Sequence, residues 1–112
     1  MPTWDDVVRI ATALPEVVET TSYGTPSLKV RKKGFARLRS EAEGGLMVKC
    51  PMEEKEALLA SGDPAFYTTP HYDGYGSILI DLDAIDEPRL SELIEDAWRG
   101  SAPVTLIRKF DA

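Results

Sequence analysis

Only one cysteine, Cys50, and one histidine, His71, occur in the 112 residues. A lone cysteine forms no internal disulfide, so the fold rests on its core, as suits a reducing cytoplasm. One histidine, one cysteine and scattered carboxylates do not have zinc spacing, and no metal or cofactor is expected. No apolar run approaches the roughly 20 residues that span a bilayer. Asp5, Asp6 and Arg9 interrupt the apolar residues of positions 1–14, so no signal peptide is expected. The expectation is a cytoplasmic chain with no membrane partner. Neither a Gly-rich phosphate loop nor a G-x-S-x-G elbow occurs, and no enzyme is expected.

What is present is an ordinary globular composition, 43% hydrophobic, in a chain the length of one domain. One compact domain over residues 1–112 is expected. The net charge of −6 argues against nucleic acid as a whole-molecule partner, but the charges are unevenly placed. Six of the thirteen basic residues fall between Lys29 and Arg39, with no acid among them, while acids crowd Asp81 to Asp96.

The periodicities predict an α+β fold. Thr3 caps a first helix in which Trp4, Val7, Val8, Ala11 and Leu14 recur at helical spacing, and Pro15 ends it. Glu16 to Pro26 reads as a polar loop with a turn at Tyr23-Gly24-Thr25-Pro26. Residues 28–50 read as three strands. A short helix follows Pro51, burying Ala57, Leu58 and Leu59 and ending at Gly62. Ile78, Ile80 and Leu82 alternate as a strand. Asp86 caps the clearest helix, with Leu90, Leu93, Ile94, Ala97 and Trp98 on one stripe. A final short helix holds Leu106, Ile107 and Phe110. The expected order is α-β-β-β-α-β-α-α, an antiparallel sheet packed with helices.

The first hairpin generates the leading site. Leu28 and Val30 share a core face, and a three-residue loop, Lys32-Lys33-Gly34, sets Val30 opposite Ala36 and Leu28 opposite Leu38, with Gly34 left-handed. The outer face then carries Lys29, Arg31, Phe35, Arg37 and Arg39. With Lys32 and Lys33 at the tip, this is a surface for phosphate contacts, and Phe35 is placed to stack on a base. The expected partner is DNA, bound weakly, with a log–log salt slope of roughly −5 for six contacts. The competing reading is a solvated face that keeps the sheet soluble. A second candidate is a ligand or protein site in the aromatic loop, formed by Tyr67, His71, Tyr72 and Tyr75. The bland alternative there is a loop packed by its own aromatics. A Cys50–His71 nucleophile pair is outweighed by Cys50 as a small hydrophobe beside Leu46 and Val48.

Several segments in order carry a family likeness: Leu14-Pro15-Glu16, Tyr23-Gly24-Thr25-Pro26, Leu28-Lys29-Val30, Gly34-Phe35-Ala36-Arg37-Leu38, Lys49-Cys50-Pro51, and Tyr67, His71 and Tyr75 running into Ile78 to Leu82. With Leu93 to Arg99 and Ala102-Pro103, they resemble the MmcQ/YjbR family of small bacterial proteins. The resemblance implies a CyaY-like (frataxin-like) fold and the double-wing DNA-binding role commonly ascribed to that family, although fold does not imply function. The chain departs from the pattern at His71-Tyr72-Asp73-Gly74-Tyr75-Gly76, where a basic run with a tryptophan is common. Frataxin-like proteins hold iron on acidic helices; here Asp5 and Asp6 serve the helix cap, and no iron site is expected.

Overall fold

In the computed structural model, which describes residues 2–112, the Thr3 hydroxyl accepts from the Asp6 N–H and the Asp6 carboxylate accepts from the Thr3 N–H at 2.8 Å. This capping box starts α1 (Trp4–Thr12). The chain then runs through β1 (Val17–Ser22), β2 (Thr25–Val30), β3 (Lys33–Leu38) and β4 (Leu46–Lys49). Next come α2 (Met52–Ala60), β5 (Phe66–Tyr67), β6 (Ser77–Ile80), α3 (Glu87–Ser101) and α4 (Val104–Asp111). The six strands form one antiparallel sheet in the order β1-β2-β3-β4-β6-β5.

The α+β class and the antiparallel sheet are as expected; the element order gains two strands. β1 occupies the segment read as a polar loop. It is an edge strand whose Val-Val-Glu-Thr-Thr-Ser lacks an apolar alternation, so nothing in its pattern separates it from a loop. β5 has two residues and shows no period.

Helices cover one face of the sheet only. Leu28, Ala36, Val48 and Ile78 line up across four strands on that face, and Leu46, Ile80 and Phe66 form the next row. All are buried, and Trp98, fully buried on α3, packs into the same core. The Trp98 indole N–H donates to the Pro15 carbonyl at 3.0 Å, and Phe110 of α4 meets its ring edge to face. Among the described residues, no helix is long and apolar enough to cross a membrane.

The first hairpin departs from the expected register. Val30 faces Lys33, so the turn is the two residues Arg31-Lys32, with Arg31 rather than Gly34 at positive φ (56°). Lys29 faces Gly34 and Leu28 faces Ala36, which leaves Phe35 as an extra residue, a β-bulge. A bulge lets two successive side chains lean to one side. Phe35 and Ala36 are both buried in the core, Phe35 completely. The reading of Phe35 as an exposed stacking residue is therefore corrected. Arg37 beyond the bulge still lies on the face away from the helices, opposite Ser27 and Met47.

The helix α2 also differs from its expected burial. Leu58 is inside, but Ala57 and Leu59 are exposed, and Lys55 is buried. Gly62, at φ 77°, follows the last turn of α2, as a left-handed C-terminal glycine should.

Replacing Phe35 by Ala is expected to cost about 3–5 kcal/mol, the range for emptying a core aromatic site. A surface stacking residue would show almost no change. Urea unfolding of the wild type and Phe35→Ala, compared at equal m-value, measures this.

Candidate functional site

The face of the sheet that the helices leave free carries Ser27, Arg37, Met47, Leu79 and Tyr67 in one row. The loop between β5 and β6 crosses this face. Its position is fixed from below by Lys55, which rises from α2 and is only 2% exposed. The ammonium donates to the backbone carbonyl of Tyr72 and, at 2.8 Å, to that of Tyr75. A buried ammonium needs such partners, because removing it from water without them is costly. From above, Tyr72 is held by two arginines of β3 and its extension. Arg37 Nη2 donates to the Tyr72 hydroxyl at 3.0 Å, and the Arg39 guanidinium lies 5.6 Å from the ring centroid.

Between this loop and the β1–β2 turn lies an open-sided groove of about 560 Å³. That volume lies within the range of small-molecule sites. Tyr23, His71, Tyr72 and Tyr75 form its aromatic walls, and Met47 and Ser77 contribute from β4 and β6. Two cations, Arg37 and Lys49, line it, and no carboxylate does. Arg37 Nη1 also donates to Thr25 Oγ1 at 3.1 Å, and its guanidinium lies 5.6 Å from the Tyr23 ring centroid. Arg37 is thus held by neutral groups, and among the described residues no acid lies within ion-pair distance of it.

The residues proposed from sequence separate into distinct places. Arg37, His71, Tyr72 and Tyr75, drawn from both candidate sites, meet in the groove. Lys29 lies on the same open face but outside the groove, and is half-buried. Arg31 sits at the turn and forms a two-pronged pair with Glu16, at 2.5 and 3.0 Å. That pairing holds the Glu16 carboxyl below its ordinary value and occupies the arginine. The Arg39 side chain is 8% exposed; it donates to the Gly44 carbonyl and pairs with Glu43 at 3.4 Å. Lys32 and Lys33 are exposed at the hairpin tip, beside Ser101 and Pro103 at the α3–α4 joint. The single basic ladder is therefore corrected: Phe35 is core, Arg31 and Arg39 are paired, Arg37 lines the groove, Lys32 and Lys33 stand at the tip, and Lys29 belongs to neither.

Tyr67 does not join the other aromatics. Its hydroxyl packs against Gly45, where a Cβ would stand 2.1 Å away, and Gly45 has φ 86°. Glycine is required at 45 on both counts. Sequence reading missed Tyr23, Lys49 and Lys55 as site residues. The alternation of Met47 and Lys49 with Leu46 and Val48 was the available signal for Lys49. A buried lysine in a helix of Glu, Lys and Ala gives no signal at all.

Cys50 lies outside the groove lining. Burial, reinforced by Glu54 and opposed by Lys55, pushes its thiol up to about 11. A nucleophile needs the opposite shift. Among the described residues, no group of three His, Cys, Asp or Glu side chains is placed to hold a metal ion.

The profile of the YjbR family matches residues 12–100. The chain belongs to the YjbR family. It is 34% identical to uncharacterised proteins of Mycobacterium tuberculosis and Mycobacterium bovis, over 98% of this chain and 96% of each relative. The crystal structure of a Deinococcus radiodurans protein with a DUF419 domain superposes with a TM-score of 0.74 at 22% identity. The overlap covers 88% of this YjbR chain and 77% of that one, and it shows a shared fold.

Two outcomes are expected at this site. Lys55→Met leaves the Tyr72 and Tyr75 carbonyls without their shared donor and should cost about 1–3 kcal/mol. Faster amide hydrogen exchange at Tyr75 and Ser77 would accompany it, since these N–H groups bond within the same loop. Iodoacetamide should alkylate Cys50 at pH 8 roughly 100-fold more slowly than an unperturbed thiol, because only the thiolate reacts and its proportion falls as the pKa rises. The rate should climb as pH approaches 11.

Proposed function

We propose that this YjbR chain is a non-catalytic binding module whose working surface is the groove on the open sheet face, and that its ligand is anionic. The observation that carries this reading is the state of Arg37. In a chain of net charge −6, five of the seven arginines (Arg9, Arg31, Arg39, Arg89 and Arg99) have carboxylate partners, and Arg108 is exposed to solvent on α4. Arg37 instead points its charge into an acid-free groove beside Lys49. A guanidinium oriented by neutral hydroxyls keeps its full charge for a ligand and is already positioned to use it. Support for a non-catalytic role is the raised thiol of Cys50 and the lack of any side-chain hydrogen bond orienting His71 among the described residues.

Duplex DNA held at the hairpin tip is the second reading. What favours it is the exposure of Lys32 and Lys33, neither of which pairs with an acid among the described residues. With Arg31 and Arg39 occupied and Phe35 in the core, the tip offers fewer phosphate contacts than six, and the salt slope should be correspondingly shallower.

A single comparison tests both readings. Pyrophosphate titrated into the labelled protein at low salt should shift amide resonances of Arg37, Lys49 and Ser77. Arg37→Gln should weaken binding roughly 10-fold or more, the value of one charge-assisted contact. Lys32→Glu/Lys33→Glu should leave that affinity almost unchanged. Shifts confined to residues 31–33, together with salt-sensitive duplex binding lost in the double variant, would replace the groove by the tip.

A further inference from the structure

We propose that the groove takes a ligand in which a phosphate is joined to a planar nucleobase. This rests on the reading of the groove as an anion site and adds what the anion is attached to. Tyr23 occupies the β1–β2 turn with φ 53°, followed by Gly24 at φ 78°. Left-handed backbone is unfavourable for a bulky side chain, and Asn, Asp or Gly would fit this two-residue turn at lower cost. The ring gains nothing from burial in return, for Tyr23 is 92% exposed. A strained position bearing an exposed aromatic is the kind of feature that ligand recognition maintains.

Tyr75 makes the second wall. It is 61% exposed, while its backbone carbonyl is fixed by Lys55. The loop thus holds a ring in water on a main chain tied to α2. His71, with its ring centroid 6.1 Å from that of Tyr75, extends the same wall. Exposed rings on a fixed backbone give stacking surface at little cost in ordering.

Between the walls, Arg37 and Lys49 supply positive charge, and no carboxylate offsets them. The combination narrows the ligand. An inorganic anion would leave the rings unused. An aromatic cation would be repelled by Arg37 and Lys49. A phosphate bearing a flat base uses both halves, with the guanidinium on the phosphate and the tyrosines on the base. The two sources of that chemistry are a free nucleotide and a single strand of nucleic acid laid along the open face.

The test titrates the wild type with each of the four nucleoside monophosphates, with the matching nucleosides, with inorganic phosphate and with a thymidine pentanucleotide. At least one monophosphate should bind roughly 10-fold or more tightly than either its nucleoside or phosphate alone. Tyr75→Ala and Tyr23→Asn should each weaken that monophosphate about 5- to 150-fold while leaving phosphate binding unchanged. Tyr23→Asn is the folding control, since Asn accepts positive φ and the variant should unfold at the same or higher urea concentration. A pentanucleotide bound much more tightly than thymidine monophosphate, with steep salt dependence, identifies a strand as the source. Equal affinity identifies the free nucleotide. If phosphate or pyrophosphate binds at Arg37 as tightly as every monophosphate, the base half of the proposal is overturned and the anion groove stands. If no phosphate compound binds, both fall.

Discussion

The extra residue in β3 governs the distribution of chemistry in this protein. The Arg31-Lys32 turn sets Val30 against Lys33 and Lys29 against Gly34. Were that register to continue unbroken, Leu28 would face Phe35 and Arg37 would point among the helices. The bulge at Phe35 inserts one residue, and from there on Ala36 and Leu38 belong to the core side while Arg37 belongs to the free side. The same irregularity supplies the core with a fully buried ring. One backbone defect therefore separates the apolar from the cationic residues of the strand, in keeping with the way bulges re-aim side chains next to functional surfaces.

The charges follow from that separation. A negative molecule ordinarily neutralises its arginines locally, and here Glu16, Glu43, Glu87, Glu92 and Asp111 do so. Apart from Arg39–Glu43, whose arginine side chain is largely covered, these pairs are largely solvated and contribute little to stability individually. Their effect is to remove competing cations from the surface, so that positive potential is concentrated where pairing does not occur. Of the basic cluster read in the sequence, Arg37 in the groove, Lys32 and Lys33 at the tip and half-buried Lys29 remain without a carboxylate partner among the described residues, and Lys49 joins Arg37 from β4.

Those parts of the fold that depend on local spacing were legible. The Thr3 cap, the apolar stripe from Leu90 to Trp98 and the alternation through Ile78 and Ile80 each state their structure in consecutive residues. The family likeness was legible too, from short segments in order. β1 was not, because an edge strand with one solvated flank can be built from Glu, Thr and Ser. The bulge was not, because it depends on a turn at Arg31 whose positive φ no glycine announces. Half of the groove was named from sequence, as His71, Tyr72, Tyr75 and Arg37, but in two separate proposals. Only the fold of the loop over the sheet joins them, and that depends on Lys55, whose burial no periodicity reveals.

Lys55 binds main-chain carbonyls, and those are the same whatever residues stand at 72 and 75. The loop's path is thereby uncoupled from its composition. Substitutions among its side chains would change the chemistry presented on the open face while the buried lysine keeps the backbone on its course.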